Sequence, residues 1–185
     1  QLYEQEKDMI ADLLPDNSNR RTRQKETPVN VIISNPPYSA GQKSANDNAA
    51  NIKYKNLDNK ISNTYASASS ANLKHDLYDS YIRAFRWATD RIGDEGVIGF
   101  VTGAGWIDGT ATDGFRKILA EDFNKIYVFH LRGNQRTSGE HSRREGGKIF
   151  GSGSRTPIAI TFLIKNKKDK DKGQIFFYDI GDYHT

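Results

Sequence analysis

Val31-Ile32-Ile33-Ser34 runs straight into Asn35-Pro36-Pro37-Tyr38, and this junction restricts the fold more than any other stretch of the chain. The β-branched run that follows Pro28 (Val29, Val31, Ile32, Ile33) reads as a strand of the kind buried on both faces of a parallel sheet. Two consecutive prolines cannot continue a central strand, because each lacks an N–H and fixes φ. The chain must therefore leave the sheet at Asn35. The carboxyl end of a strand is also where open α/β sheets hold their ligands.

The rest of the chain supplies the partners such a strand needs. Leu77, Tyr78, Tyr81, Ile82, Phe85, Ala88 and Ile92 recur at three- and four-residue steps and predict a helix over 75–92, which Gly93-Asp94-Glu95-Gly96 stops. Val97 to Val101 reads as a second strand, Phe115 to Phe123 as a helix, and Lys125 to Leu131 as a third strand. This alternation is the rhythm of an α/β domain. Ile158 to Ile164 and Ile175 to Tyr178 read as two further strands around a Lys- and Asp-rich turn, expected to form an antiparallel pair at the end of a mixed sheet. Residues 1–28 read as a short helix around Ile10, Leu13 and Leu14 followed by a solvated linker. Residues 29–185 read as one domain with long loops at 39–74 and 132–156.

Composition narrows the chemistry. The 185 residues include no cysteine, which excludes disulfides and thiolate metal sites, and the four histidines are too scattered for a ligand motif, so no metal is expected. No run approaches the roughly 18 apolar residues of a membrane span, and the expected compartment is the cytoplasm. The chain opens Gln1-Leu2-Tyr3 without an initiator Met, and it is expected to be a piece of a longer protein. A net charge of +4 is compatible with a polyanionic partner.

Asn35, Pro36, Pro37 and Tyr38 suit an amine attached to an aromatic ring. The lone pair of such an amine is delocalised into the ring, so it becomes nucleophilic only when the nitrogen is drawn toward tetrahedral geometry. Two acceptors aimed at its N–H bonds would do this: the Asn35 side-chain oxygen and the Pro36 carbonyl, whose direction the prolines restrict. Tyr38 offers a flat face on which a base drawn out of a duplex could stack, worth about 1–3 kcal/mol. No strong base is needed, since the proton leaves after nitrogen has become cationic.

Asn35-Pro36-Pro37-Tyr38 resembles the catalytic motif of N6-adenine DNA methyltransferases. In that family the amide and the first proline carbonyl hold the target amine, and the aromatic stacks on the flipped base. The helix from His75, the strand ending in Thr102-Gly103-Ala104-Gly105-Trp106 and the strand Ile126 to Leu131 follow in the family's order. Phe150 to Ile160 (FGSGSRTPIAI) and Tyr178-Asp179-Ile180-Gly181-Asp182-Tyr183 look like the methyltransferase region of single-chain type I-like restriction-modification enzymes that also carry a helicase and a nuclease. The resemblance covers about Val29 to Tyr183. It implies a partial Rossmann-like fold, S-adenosyl-L-methionine as methyl donor, DNA as partner, and linkage to helicase, nuclease and target-recognition regions. Its glycine-rich cofactor loop precedes the catalytic motif, and residues 1–28 contain no glycine. The main cofactor site is therefore expected upstream of Gln1, and the chain alone is expected to be inactive. Gly103-Ala104-Gly105 is no dinucleotide fingerprint, because the next glycine is Gly109 and the spacing is wrong.

Lys43, Lys53, Lys55, Arg132, Arg136, Arg143, Arg144 and Arg155 lie in the two long loops beside the motif and are candidate DNA-phosphate contacts, Arg155 foremost because Gly153-Ser154 lets the backbone turn tightly there. Two other readings stay open: the same chemistry on RNA or on a protein glutamine, and an inactive methyltransferase-like module that grips DNA.

Overall fold

The computed structural model describes residues 15–37, 54–134, 140, 144, 149 and 156–182. In chain order the main elements are α1 (Pro15–Glu26), β1 (Val31–Ser34), α2 (Lys55–Ile61), α3 (Ser80–Arg91), β2 (Glu95–Gly103), α4 (Asp113–Asp122), β3 (Lys125–Arg132), β4 (Ile158–Asn166) and β5 (Gln174–Asp179). The strands form one five-stranded sheet in the order β1-β2-β4-β3-β5. β1 runs parallel to β2 and β3 parallel to β5, while β4 is antiparallel to both β2 and β3. The expected mixed α/β sheet is present. Its two C-terminal strands do not pair with each other, however: β4 is inserted between β2 and β3, and β5 lies beyond β3. Insertion gives β4, whose Ala159, Thr161 and Leu163 are buried, a hydrogen-bonded neighbour on each side.

Helices cover one face of this sheet. Ile98 and Phe100 of β2, Leu163 of β4 and Ile126 and Val128 of β3 point into a core completed by Ile82 and Phe85 of α3 and by Phe115 and Leu119 of α4. Phe85 is the hub, its ring centroid 4.9 Å from Phe100, 5.3 Å from Phe115 and 6.2 Å from Trp106. Burying each such side chain contributes about 1.5–3 kcal/mol. Arg86 on the same helix is buried too. It bridges Asp90 (2.6 Å) and Asp122 of α4 (3.1 Å) and lies over the Tyr65 ring, so charge pairing locks the two helices that apolar packing brings together.

The other face is bare among the described residues. Ile33, Gly99, Phe162, Tyr127 and Phe176 form one rung across all five strands, and Phe129 stacks on Tyr178 two residues further along. Ile33 is 79% exposed and Val31 60%. β1 was expected to be buried on both faces, yet only Ile32 packs against the core. Among the described residues it is an edge strand with one covered face, so its alternate residues meet no cover.

Three local expectations also change. The stretch read as a solvated linker is the helix α1, which has no apolar residue after Pro15. The loop expected over 39–74 contains α2, continued by a π-helical turn, Ser62–Ala66. Leu57, Ile61 and Tyr65 at four-residue steps give this segment its buried stripe. Finally, the helix expected over 75–92 breaks at Asp79, which is extended (ψ 149°) and separates a 3-10 turn, His75–Tyr78, from α3.

Candidate active site

β1 delivers Asn35, Pro36 and Pro37 to the carboxyl edge of the sheet. Asn35 and Pro37 are exposed, while Pro36 between them is buried. The middle ring anchors the turn and leaves the amide in front of it open to a ligand. Tyr38 lies outside the described residues. The neighbouring strand makes the wall of this edge: Ser34 pairs with Phe100, and β2 runs three residues further, to Gly103.

The loop leaving β2 is held rigidly. The Ala104 N–H donates to the Pro157 carbonyl (2.7 Å), tying the loop to the start of β4. Arg116 donates to the carbonyls of Trp106 (2.7 Å) and Gly109 (2.8 Å), and Thr112 also donates to Gly109 (2.8 Å). Gly109 is needed here, because a Cβ would stand 2.5 Å from the Gly105 carbonyl oxygen. The glycines of this stretch close the loop on itself and do not fit a cradle for S-adenosylmethionine. The Asp113 carboxylate, at the start of α4, accepts hydrogen bonds from the hydroxyls of Ser69 and Ser70 and from the N–H groups of Ser70 and Gly114. These bonds, the Ser69 hydroxyl first among them, hold its pKa well below the usual carboxylate range. They also fix the end of the α2 segment, through which the chain returns from the motif.

Among the candidate phosphate contacts, Lys55 and Arg144 are exposed. Arg132 is committed within the protein. It has a left-handed backbone (φ 57°) at a bulge in β3, and its guanidinium pairs with Asp179 (2.6 Å) and with Asp182. His130 Nδ1 lies 3.1 Å from the same Asp179 carboxylate. Partial burial pushes Asp179 up, but the hydrogen bonds from Arg132, the Gly181 N–H and His130 outweigh it and bring its pKa down to about 2. Sequence reasoning missed this cluster, whose members are some 50 residues apart and meet only because β5 pairs with β3. Lys43, Lys53, Arg136, Arg143 and Arg155 lie outside the described residues. No helix among the described residues is long and apolar enough to cross a membrane.

Residues 3–136, carrying the proline motif and its neighbouring strand, match the family described as Eco57I restriction-modification methylase. The chain belongs to this family. No curated protein matches it, but solved structures do. A nuclease-deletion mutant of the Type ISP restriction-modification enzyme LlaGI, in complex with a DNA substrate mimic, is 48% identical over 100% of this chain, with a TM-score of 0.89. The ATP-dependent Type ISP enzyme LlaBIII bound to DNA is 42% identical over 98% (TM-score 0.87), and a DrdV–DNA complex 40% identical over 94% (TM-score 0.83). The present Eco57I-family chain spans 15%, 12% and 17% of those three chains, respectively. The match is to the methyltransferase region of the Type ISP enzymes.

Proposed function

We propose that this chain holds the acceptor amine in S-adenosylmethionine-dependent methylation of adenine N6 in DNA, within a longer restriction-modification enzyme. The observation that carries the reading is the alternation at the exit of β1, where the buried Pro36 ring anchors a turn between exposed Asn35 and exposed Pro37. With that ring held, the Asn35 amide oxygen and the Pro36 carbonyl accept from the two N–H bonds of the amine and draw its nitrogen out of conjugation. Tyr38 stacks on the base. The cofactor implied by the family would supply an electrophilic methyl group, its sulfonium C–S bond breaking to leave a neutral thioether, and its main contacts are proposed to come from residues other than those described. Once nitrogen is cationic its proton passes to water, so the site needs no strong base.

DNA is favoured over RNA or a protein glutamine because the similar Type ISP enzymes were solved with DNA or a DNA mimic. A motor and a nuclease in the same polypeptide are proposed on the same likeness. The test is labelled methyl incorporation by the full-length protein, offered duplex DNA, RNA and protein acceptors in competition. Asn35→Ala should lower incorporation into DNA by on the order of 100-fold or more, as expected for loss of a group that acts in the transition state. Equal rates for wild type and Asn35→Ala would overturn the role of Asn35. Preference for RNA or protein would overturn the choice of acceptor, and DNA binding without incorporation would leave an inactive binding module.

A further inference from the structure

The basic charge of the described residues gathers at the edge of the sheet opposite Asn35. α1 carries Arg20, Arg21, Arg23 and Lys25 against Asp16 and Glu26. The turn between β4 and β5 carries five lysines against two aspartates over residues 165–172. These segments are joined in space. Arg91, at the end of α3, donates to the carbonyls of Gln24 and Thr27 (both 2.7 Å), and Asp94, just beyond it, pairs with Lys167 (2.7 Å). The turn is held in place by buried Asn124, whose amide donates to the carbonyls of Asp169 (2.9 Å) and Asp171 (2.7 Å) and accepts from the Asn166 N–H (2.7 Å). Arg20, Arg23, Gln24 and Thr27 line a concavity of about 420 Å³ on this edge.

A helix that is polar on every side buries nothing that explains its presence, and such helices commonly bridge to something outside their own core. Here it presents two guanidinium groups one turn apart and an amide around one hollow, while the Thr27 hydroxyl donates to the Arg23 carbonyl (2.7 Å). That donor set suits phosphate oxygens. Beyond these links the exposed Lys168 and Lys170 of the turn extend the basic charge, as a polymer with regularly spaced charges would require.

We infer that this edge is a second DNA-backbone contact, engaging duplex that flanks the target rather than the target itself. The inference rests on DNA being the substrate. β2, nine residues long, separates the two edges by about 30 Å, or roughly nine base pairs of duplex. A duplex confined to the target cannot reach the hollow, while a longer or bent one does.

The experiment compares the full-length enzyme with an Arg20→Glu/Arg23→Glu variant on duplexes of about 15 and about 50 base pairs centred on the target, by fluorescence anisotropy across a salt series. On the long duplex the variant should bind about tenfold more weakly near physiological salt, with a salt slope shallower by about two. Binding to the short duplex, and the methylation rate at saturating DNA, should stay unchanged. Unaltered affinity and slope on the long duplex would overturn the inference, and so would equal losses on both lengths. If the reversed-charge variant does not fold, Arg20→Gln/Arg23→Gln gives the same comparison with a smaller expected loss. A wild-type enzyme that shows the length-dependent slope but methylates neither duplex would defeat the methylation reading and leave this contact standing.

Discussion

Gly114, in the first turn of α4, lies against the backbone of the π-helical turn that carries Tyr65. A Cβ at this position would stand 2.1 Å from the Tyr65 carbonyl oxygen and 2.5 Å from the Ser69 nitrogen. Both are main-chain atoms of a segment that Asp113 also pins through Ser69 and Ser70, so neither side yields cheaply.

Gly114→Ala should therefore destabilise the protein even though alanine favours helix. The intrinsic gain, up to about 1 kcal/mol, is smaller than the cost of displacing a packed backbone, expected at about 1–3 kcal/mol or more. Urea denaturation checks this, and an unchanged midpoint would mean that the two segments separate easily.

Asp179 gives the pH dependence a sign. Its pKa is about 2 in the folded protein, below the ordinary 3.8. The stability it contributes is present above the ordinary value and is lost as pH falls from about 4 toward 2. Asp179→Asn should flatten the fall in Tm over that interval, while at neutral pH it weakens the hold on Arg132. Melting curves from pH 6 to pH 2 would contradict this if the two proteins lost Tm in parallel.

The bare face of the sheet should be visible to a dye. Contiguous apolar patches beyond a few hundred Å² are rare on monomers, and here Ile33, Phe162 and Phe176 share one rung at 79%, 45% and 46% exposure. The isolated 185-residue chain should bind anilinonaphthalene sulfonate, and Phe162→Ser/Phe176→Ser should cut that fluorescence severalfold without changing the far-UV circular dichroism. Equal fluorescence would place dye binding elsewhere.

What was readable in the chain depended on how local the cause was. β2, α4 and β3 fall within a residue or two of expectation, because their apolar periods and stopping residues lie within each segment. The helix α2 was overlooked although Leu57, Ile61 and Tyr65 carry its period, since the Asn, Ser and Lys residues between them read as loop. Arg132 was assigned outward to phosphate, and nothing near it in sequence announces Asp179 and Asp182. The exit of the chain from the sheet at Asn35, Pro36 and Pro37 was legible because two prolines impose their own geometry.

Amino-acid order alone therefore decided that a β-branched strand ends at Asn35 and that helices with one apolar face follow it. Backbone restriction and side-chain periodicity act over a few residues and need no partner. Tertiary structure decided that β4 enters between β2 and β3, that one face of the sheet is bare among the described residues, that Arg132 is held by acids some 50 residues away, and that basic charge of the described residues gathers at the far edge. Each of these depends on which strands pair, a choice made by long-range hydrogen bonding and burial.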